Sequence, residues 1–92
     1  MIDRFVVVTN RLGLHARAAA LLVRTANNFQ CSLRLERVDG TATADAKSIL
    51  SVLMLAASRG TELRATADGE DEIEAIDALG GLFANGFGEN EG

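Results

Sequence analysis

A chain of 92 residues with one histidine, one cysteine and a formal net charge of −4 has the size of a single domain with a single core. The acidic balance excludes a nucleic-acid footprint, which requires clustered cations to neutralise phosphates; proteins or a small anion are the partners to expect. Apolar residues make up 48%, with four Phe and neither Trp nor Tyr, so Leu, Val, Ile and Ala must fill the core.

Ile2 to Thr9 is a β-branched run with Val6 and Val8 on one face, the pattern of a strand. Met1-Ile2-Asp3-Arg4 lacks the apolar run of a signal peptide, and no stretch is long enough to span a bilayer. No membrane insertion and a cytoplasmic location are therefore expected. Asn10 to Leu14 is a loop containing Gly13. From Ala16 to about Asn28 the residues Ala19, Leu22, Val23 and Ala26, followed by Phe29, keep helical spacing and define one buried stripe.

Cys31, Leu33 and Leu35 alternate with Ser32, Arg34 and Glu36, which predicts a half-buried strand. The lone Cys31 cannot form an internal disulfide and falls on the buried face. Asp39-Gly40 marks a hairpin turn, with a return strand over about Thr41 to Ala46. Lys47 to Ala57 reads as a second helix, apolar at Ile49, Leu50, Val52, Leu53, Met54 and Leu55, stopped near Gly60 and with Ser48 in its first turn. Leu63, Ala65 and Ala67 alternate with Glu62, Arg64 and Thr66 as a fourth strand. A third helix opens with Glu70, Asp71, Glu72 and Glu74 at its positive end and is expected to bury Ile73, Ile76, Leu79 and Phe83. Gly80-Gly81 costs roughly 1 kcal/mol per glycine inside a helix, which places a kink or fraying beyond Leu79. Asn85 to Gly92 reads as a loosely ordered end, with residues 1–88 as the domain and 89–92 as a short flexible tail.

The order βαββαβα, with one-sided strands and one-striped helices, closes a core if the helices cover one face of an antiparallel sheet, an α+β fold. Its most informative segment is Asn10-Arg11-Leu12-Gly13-Leu14-His15-Ala16-Arg17-Ala18-Ala19-Ala20. The only histidine stands there at the head of a helix, whose free N–H groups and macrodipole favour a phosphate. Arg17, two residues on, can add charge-assisted bonds to phosphate oxygens, and a neutral imidazole is nucleophilic near pH 7. Together these features suit a histidine that accepts and returns a phosphoryl group.

Gly13-Leu14-His15-Ala16-Arg17, Lys47-Ser48-Ile49-Leu50-Ser51-Val52-Leu53, Arg59-Gly60-Thr61-Glu62-Leu63 and Asn85-Gly86-Phe87-Gly88-Glu89 occur in this order. With them the chain resembles, over nearly its whole length, the HPr family of histidine-containing phosphocarriers of the bacterial phosphoenolpyruvate-dependent phosphotransferase system, which serves sugar transport. The resemblance implies an HPr-like open-faced β-sandwich of four antiparallel strands covered by three helices. It implies phosphorylation of His15 on Nδ1 by enzyme I and transfer to an enzyme IIA domain, with Arg17 and the backbone N–H groups of Ala16, Arg17 and Ala18 holding the phosphoryl oxygens. A relay of this kind is not an independent catalyst and implies no cofactor or metal. Ser48 matches the position that HPr kinase/phosphorylase modifies in many relatives; as a bare residue it is equally a helix cap.

An open-faced sandwich has too few layers to bury every apolar residue of the second helix. Ile49, Leu50 and Leu53, with Leu14, Ala20 and Arg24, are accordingly expected to form a partner surface. A monomer is expected, since a shuttle exchanges partners. Ala18 stands where the family usually has proline, giving up about 0.4 to 1 kcal/mol of ordering in the first helical turn. The hairpin at Asp39-Gly40 is about two residues longer than usual, a place where insertions are tolerated. A nitrogen-type or regulatory paralogue shares fold and histidine. An acyl carrier protein would need an Asp-Ser-Leu motif, whereas Ser48 follows Lys47, and a plain interaction domain would leave His15 without a role.

Overall fold

The computed structural model describes residues 1–89. Its elements are strands β1 (Ile2–Val7), β2 (Ser32–Arg37), β3 (Thr43–Asp45) and β4 (Glu62–Asp68), and helices α1 (Ala16–Ala26), α2 (Ile49–Met54) and α3 (Glu72–Ala84), in the order βαββαβα. The strands form one antiparallel sheet, ordered β1-β4-β2-β3. Alternation sends Leu33, Leu35, Leu63, Ala65 and Ala67 to the inner face, all buried. Their solvent-side neighbours Ser32, Arg34, Glu62 and Arg64 are exposed. The α+β architecture expected from the sequence is present.

Small residues dominate the inner rows, so the helices come close. Arg4, Ala65, Leu35 and Ala44 share one row across all four strands. Its last three members are buried, whereas Arg4, on the edge, reaches Asp77 of α3. α3 packs on β1 and β4, α2 on β3, and α1 touches both other helices. Leu22, Val52, Leu55, Leu79 and Phe83 fill the space between, each worth roughly 1.5–3 kcal/mol of apolar burial. Cys31 is buried as expected, and burial raises its thiol pKa. Among the described residues no helix is long and apolar enough to cross a membrane.

The main departures from the sequence reading concern helix limits. α1 ends at Ala26, where Asn27 donates its side-chain amide to the Val23 carbonyl at 2.9 Å. α2 is confined to Ile49–Met54. Beyond it Ala56 takes φ +51°, and Arg37 donates to the carbonyls of Leu55 and Ala56 at 3.0 and 3.3 Å, an exit that closes the helix as a cationic cap does. α3 runs straight through Gly80 and Gly81 to Ala84. A Cβ at residue 80 would stand 2.7 Å from Nη1 of Arg4, the far end of a flexible side chain that would then have to shift.

Ile73, assigned to the buried stripe, is 61% exposed. At about 100° per residue, the face defined by Ala75, Ile76, Leu79 and Phe83 is centred roughly 105° away from it. The segment after α3 is folded: Gly86, Phe87 and Gly88 have φ +58°, +58° and +71°, a single left-handed turn. Two glycines make that turn accessible. Between them Phe87 is buried, its ring edge-on to Phe83 at 5.0 Å.

Candidate functional site

β1 leads directly into the loop that carries the histidine. Asn10 is 1% exposed; its carbonyl accepts from Gly13 N–H at 3.1 Å, and its Nδ2 donates to the Gly13 carbonyl at 2.7 Å. Leu14 N–H donates to Ala57 O at 2.9 Å. The loop lies so close to the segment after α2 that a Cβ on Gly13, at φ +69°, would be 2.6 Å from Ala57 O. Glycine supplies both the left-handed backbone and the clearance.

His15 is thereby set as the N-cap of α1, with its carbonyl accepting from Ala19 N–H at 2.8 Å. Its Nδ1 accepts from Arg17 N–H at 3.3 Å, a long, weak contact. Nε2 meets the carboxylate Oε2 of Glu89. An ionised carboxylate only accepts, so the ring proton belongs on Nε2 and the Nδ1 lone pair faces the helix N-terminus. Asn10 Nδ2 donates at 2.9 Å to the other carboxylate oxygen, Oε1. That bond, then the one from His15, holds the Glu89 carboxyl below the usual carboxylate range, against the opposing effect of burial.

The side chains of His15 and Glu89 are 25% and 16% exposed. Arg17 is 81% exposed and its Nη2 lies 3.7 Å from Glu89 Oε2. Beside the ring is a shallow hollow lined by Leu12, Leu14, Ala56, Ala57 and Ser58. The arrangement can present one unprotonated, oriented imidazole nitrogen to an electrophile whose anionic oxygens meet helix N–H groups and an exposed guanidinium.

Residues 2–85 match the family model described as the PTS HPr component phosphorylation site. The chain belongs to the HPr family. It is similar to the phosphocarrier protein HPr of Xylella fastidiosa strain 9a5c, with 48% identity over 98% of this chain and 99% of the relative. The HPr of Cupriavidus necator is 47% identical over 99% of this chain and all of the relative. A crystal structure of HPr from Thermoanaerobacter tengcongensis superposes with a TM-score of 0.91 at 39% identity, covering 98% of this chain and 99% of that one. Membership makes the chain an HPr-type phosphocarrier of the phosphotransferase system, and its four-stranded sheet with three helices is the HPr fold.

Several residues singled out in this HPr's sequence converge. His15, Ala16, Arg17 and Ala18 form the head of α1; Ala18 is buried, whereas Ala16 and Arg17 are exposed. Ser48 caps α2, its Oγ accepting from Ser51 N–H at 3.4 Å. Ile49 and Leu50 are exposed and Leu53 is half-buried. α1, carrying half-buried Ala20 and exposed Arg24, packs directly on α2.

Leu14 does not join that surface. It is 6% exposed, drawn inward by the backbone bond to Ala57. Sequence reasoning also missed the exposure of Met54, at 80%, and it missed Asn10 and Glu89. Glu89 belongs to the expected tail, yet its side chain is anchored at His15 and Asn10; residues 90–92, the rest of that tail, lie outside the described residues. One acidic residue among several near a chain end gives no local signal. For Asn10 a signal existed, a short polar residue three before a glycine, the spacing of a side-chain-closed turn.

Proposed function

We propose that Nδ1 of His15 carries the phosphoryl group, received from phosphorylated enzyme I and passed to an enzyme IIA domain. The observation that supports it is the orientation of the ring, whose unprotonated Nδ1 faces the N-terminus of α1 while Glu89 holds Nε2–H. The N–H groups of Ala16, Arg17 and Ala18 and the Arg17 guanidinium receive the phosphoryl oxygens. Arg17 is 81% exposed, which suits a carrier: stabilisation given to phosphohistidine is subtracted from its transfer potential.

Ile49, Leu50, Leu53 and Met54, with Ala20 and Arg24 on the adjoining helix, form the surface on which both partners dock in turn. Ser48 lies within it. Phosphorylation there by HPr kinase/phosphorylase adds about −1.5 to −2 charge to the docking surface and weakens enzyme I binding. The carrier works as a monomer in the cytoplasm.

Incubation with enzyme I, Mg²⁺ and phosphoenolpyruvate, followed by intact mass and ³¹P NMR, tests this. An acid-labile phosphohistidine that disappears in His15→Ala is expected. Persistence of the label in that variant removes His15 from the role. Phosphorylation by a nitrogen-type enzyme I alone assigns the carrier to that relay instead of the sugar-type one.

A further inference from the structure

We infer that Arg37, the last residue of β2, is a positioning residue for phosphoryl transfer: held in line by Asp39, it fixes the backbone of Leu55 and Ala56 and, through it, the Ala57 carbonyl on which the histidine loop is docked. The inference rests on the proposed role of His15 and adds to it a side chain that never meets the ring.

The connection runs along three consecutive carbonyls. The chain leaves α2 after Met54 and enters β4 at Glu62. Between them Ala56 takes φ +51°, a conformation that a Cβ disfavours and that persists where the surroundings impose it. Arg37 does so: its Nη1 donates to Leu55 O at 3.0 Å and to Ala56 O at 3.3 Å, gripping the left-handed residue and the one before it. The next carbonyl, that of Ala57, accepts from Leu14 N–H at 2.9 Å, and Leu14 immediately precedes His15. Ala56 and Ala57 also line the hollow beside the ring.

The guanidinium is fixed in turn. Its Nε and Nη2 donate to Oδ2 of Asp39 at 3.3 and 3.2 Å, while Oδ1 of that carboxylate accepts from Thr41 N–H and Oγ1 at 3.0 and 2.6 Å. The Arg37 side chain is 23% exposed, so water competes for its donors less than at an open surface. A planar fork can hold a carboxylate and two main-chain oxygens at once, which a lysine ammonium does with far looser geometry. Ile49 and Leu50 begin α2, whereas Arg37 holds the exit at its other end. Loss of the grip therefore leaves the first contact with enzyme I in place and disturbs the step in which the imidazole must meet phosphorus in line.

The test compares the full-length protein with Arg37→Met, which keeps an apolar stem, Arg37→Lys and Asp39→Asn. Amide exchange is followed at Leu14 and at the core residues Leu35 and Leu63. Single-turnover transfer from phosphorylated enzyme I is followed at increasing concentrations of the carrier. In Arg37→Met the Leu14 amide is expected to exchange about tenfold faster, as for a lost charge-assisted hydrogen bond, beyond any change shared with Leu35 and Leu63. The transfer rate at saturation is expected to fall about tenfold, with the half-saturating concentration moving less than about twofold. Arg37→Lys is expected to restore part of both, and Asp39→Asn, which keeps the guanidinium, to move both the same way by less; it carries the comparison if Arg37→Met does not fold. Leu14 exchange that changes only in step with the core amides, or a saturated transfer rate equal to the parent's, overturns this inference and leaves the carrier reading intact. Absence of phosphohistidine in the parent protein overturns both.

Discussion

The guanidinium of Arg4 on β1 lies 2.6 Å from the carboxylate of Asp77 on α3, and it occupies the space that a side chain at position 80 would need. The edge strand and the last helix are joined where α3 carries two consecutive glycines.

Those glycines separate two effects. Gly81 has nothing within 4 Å of a Cβ, so Gly81→Ala is expected to stabilise the fold by about 0.5–1 kcal/mol through helix propensity. Gly80→Ala gains the same propensity but must push Arg4 off Asp77, an exposed pair worth about 0–1 kcal/mol. Urea unfolding of the two variants is expected to rank Gly81→Ala above Gly80→Ala, and the reverse order would show that Arg4 moves aside at no cost.

Gly13→Ala combines a left-handed backbone with a Cβ 2.6 Å from the main-chain oxygen of Ala57. The conformation alone costs about 1–2 kcal/mol, and the clash adds to it because backbone yields less than a flexible side chain. A loss of about 2 kcal/mol or more in chemical unfolding is expected, together with slower phosphorylation, since His15 follows this loop directly. An unfolding midpoint equal to the parent's would mean that the loop can leave Ala57 freely.

Leu50→Glu changes a side chain that is 72% exposed, so stability should move by no more than about 0.5 kcal/mol. Binding to enzyme I is expected to weaken at least about tenfold, from lost apolar contact at the docking surface. Titration calorimetry with enzyme I checks it; unchanged affinity would relocate the interface away from α2.

The hairpin tip should respond to acid in a defined window. The Asp39 carboxylate accepts from Thr41 Oγ1 and N–H at 2.6 and 3.0 Å and from Arg37, and its pKa is lowered from 3.8 to about 2, chiefly by the Thr41 hydroxyl. A carboxyl more acidic when folded contributes its stabilisation in full above the unfolded value and loses it as pH falls through the folded one. The tip is therefore expected to stay closed at pH 4 and loosen progressively toward pH 2. Carboxyl ¹³C titration of Asp39, with amide exchange at Thr41, reads this; a midpoint near 3.8 would dissolve the network.

Local periodicity carried most of the fold. Cys31, Leu33 and Leu35 alternate because one sheet face is dry, and His15 precedes a stripe of Ala19, Leu22 and Ala26, which together mark the head of α1. What escaped depends on contacts between distant segments. Leu14 is buried because the loop docks on Ala57, 43 positions along the numbering. Glu89 reaches His15 because Phe87 plugs into the core and turns the chain back. Ile73 fits an apolar pattern by type, but the helix's rotation is set by β1 and β4. Of the site, His15 and Arg17 were legible as residue types at a helix head, whereas the orientation of the ring depends on a carboxylate 74 positions away.

The sheet also ends with some care at both sides. On one side β3 has only three residues; on the other, the row that is apolar in the interior terminates in the charged head group of Arg4. A short border and an inward-pointing charge are the features that keep free strand edges from pairing with a neighbouring molecule. Fibrous aggregation by strand addition is thereby discouraged without any helix having to be laid over those borders.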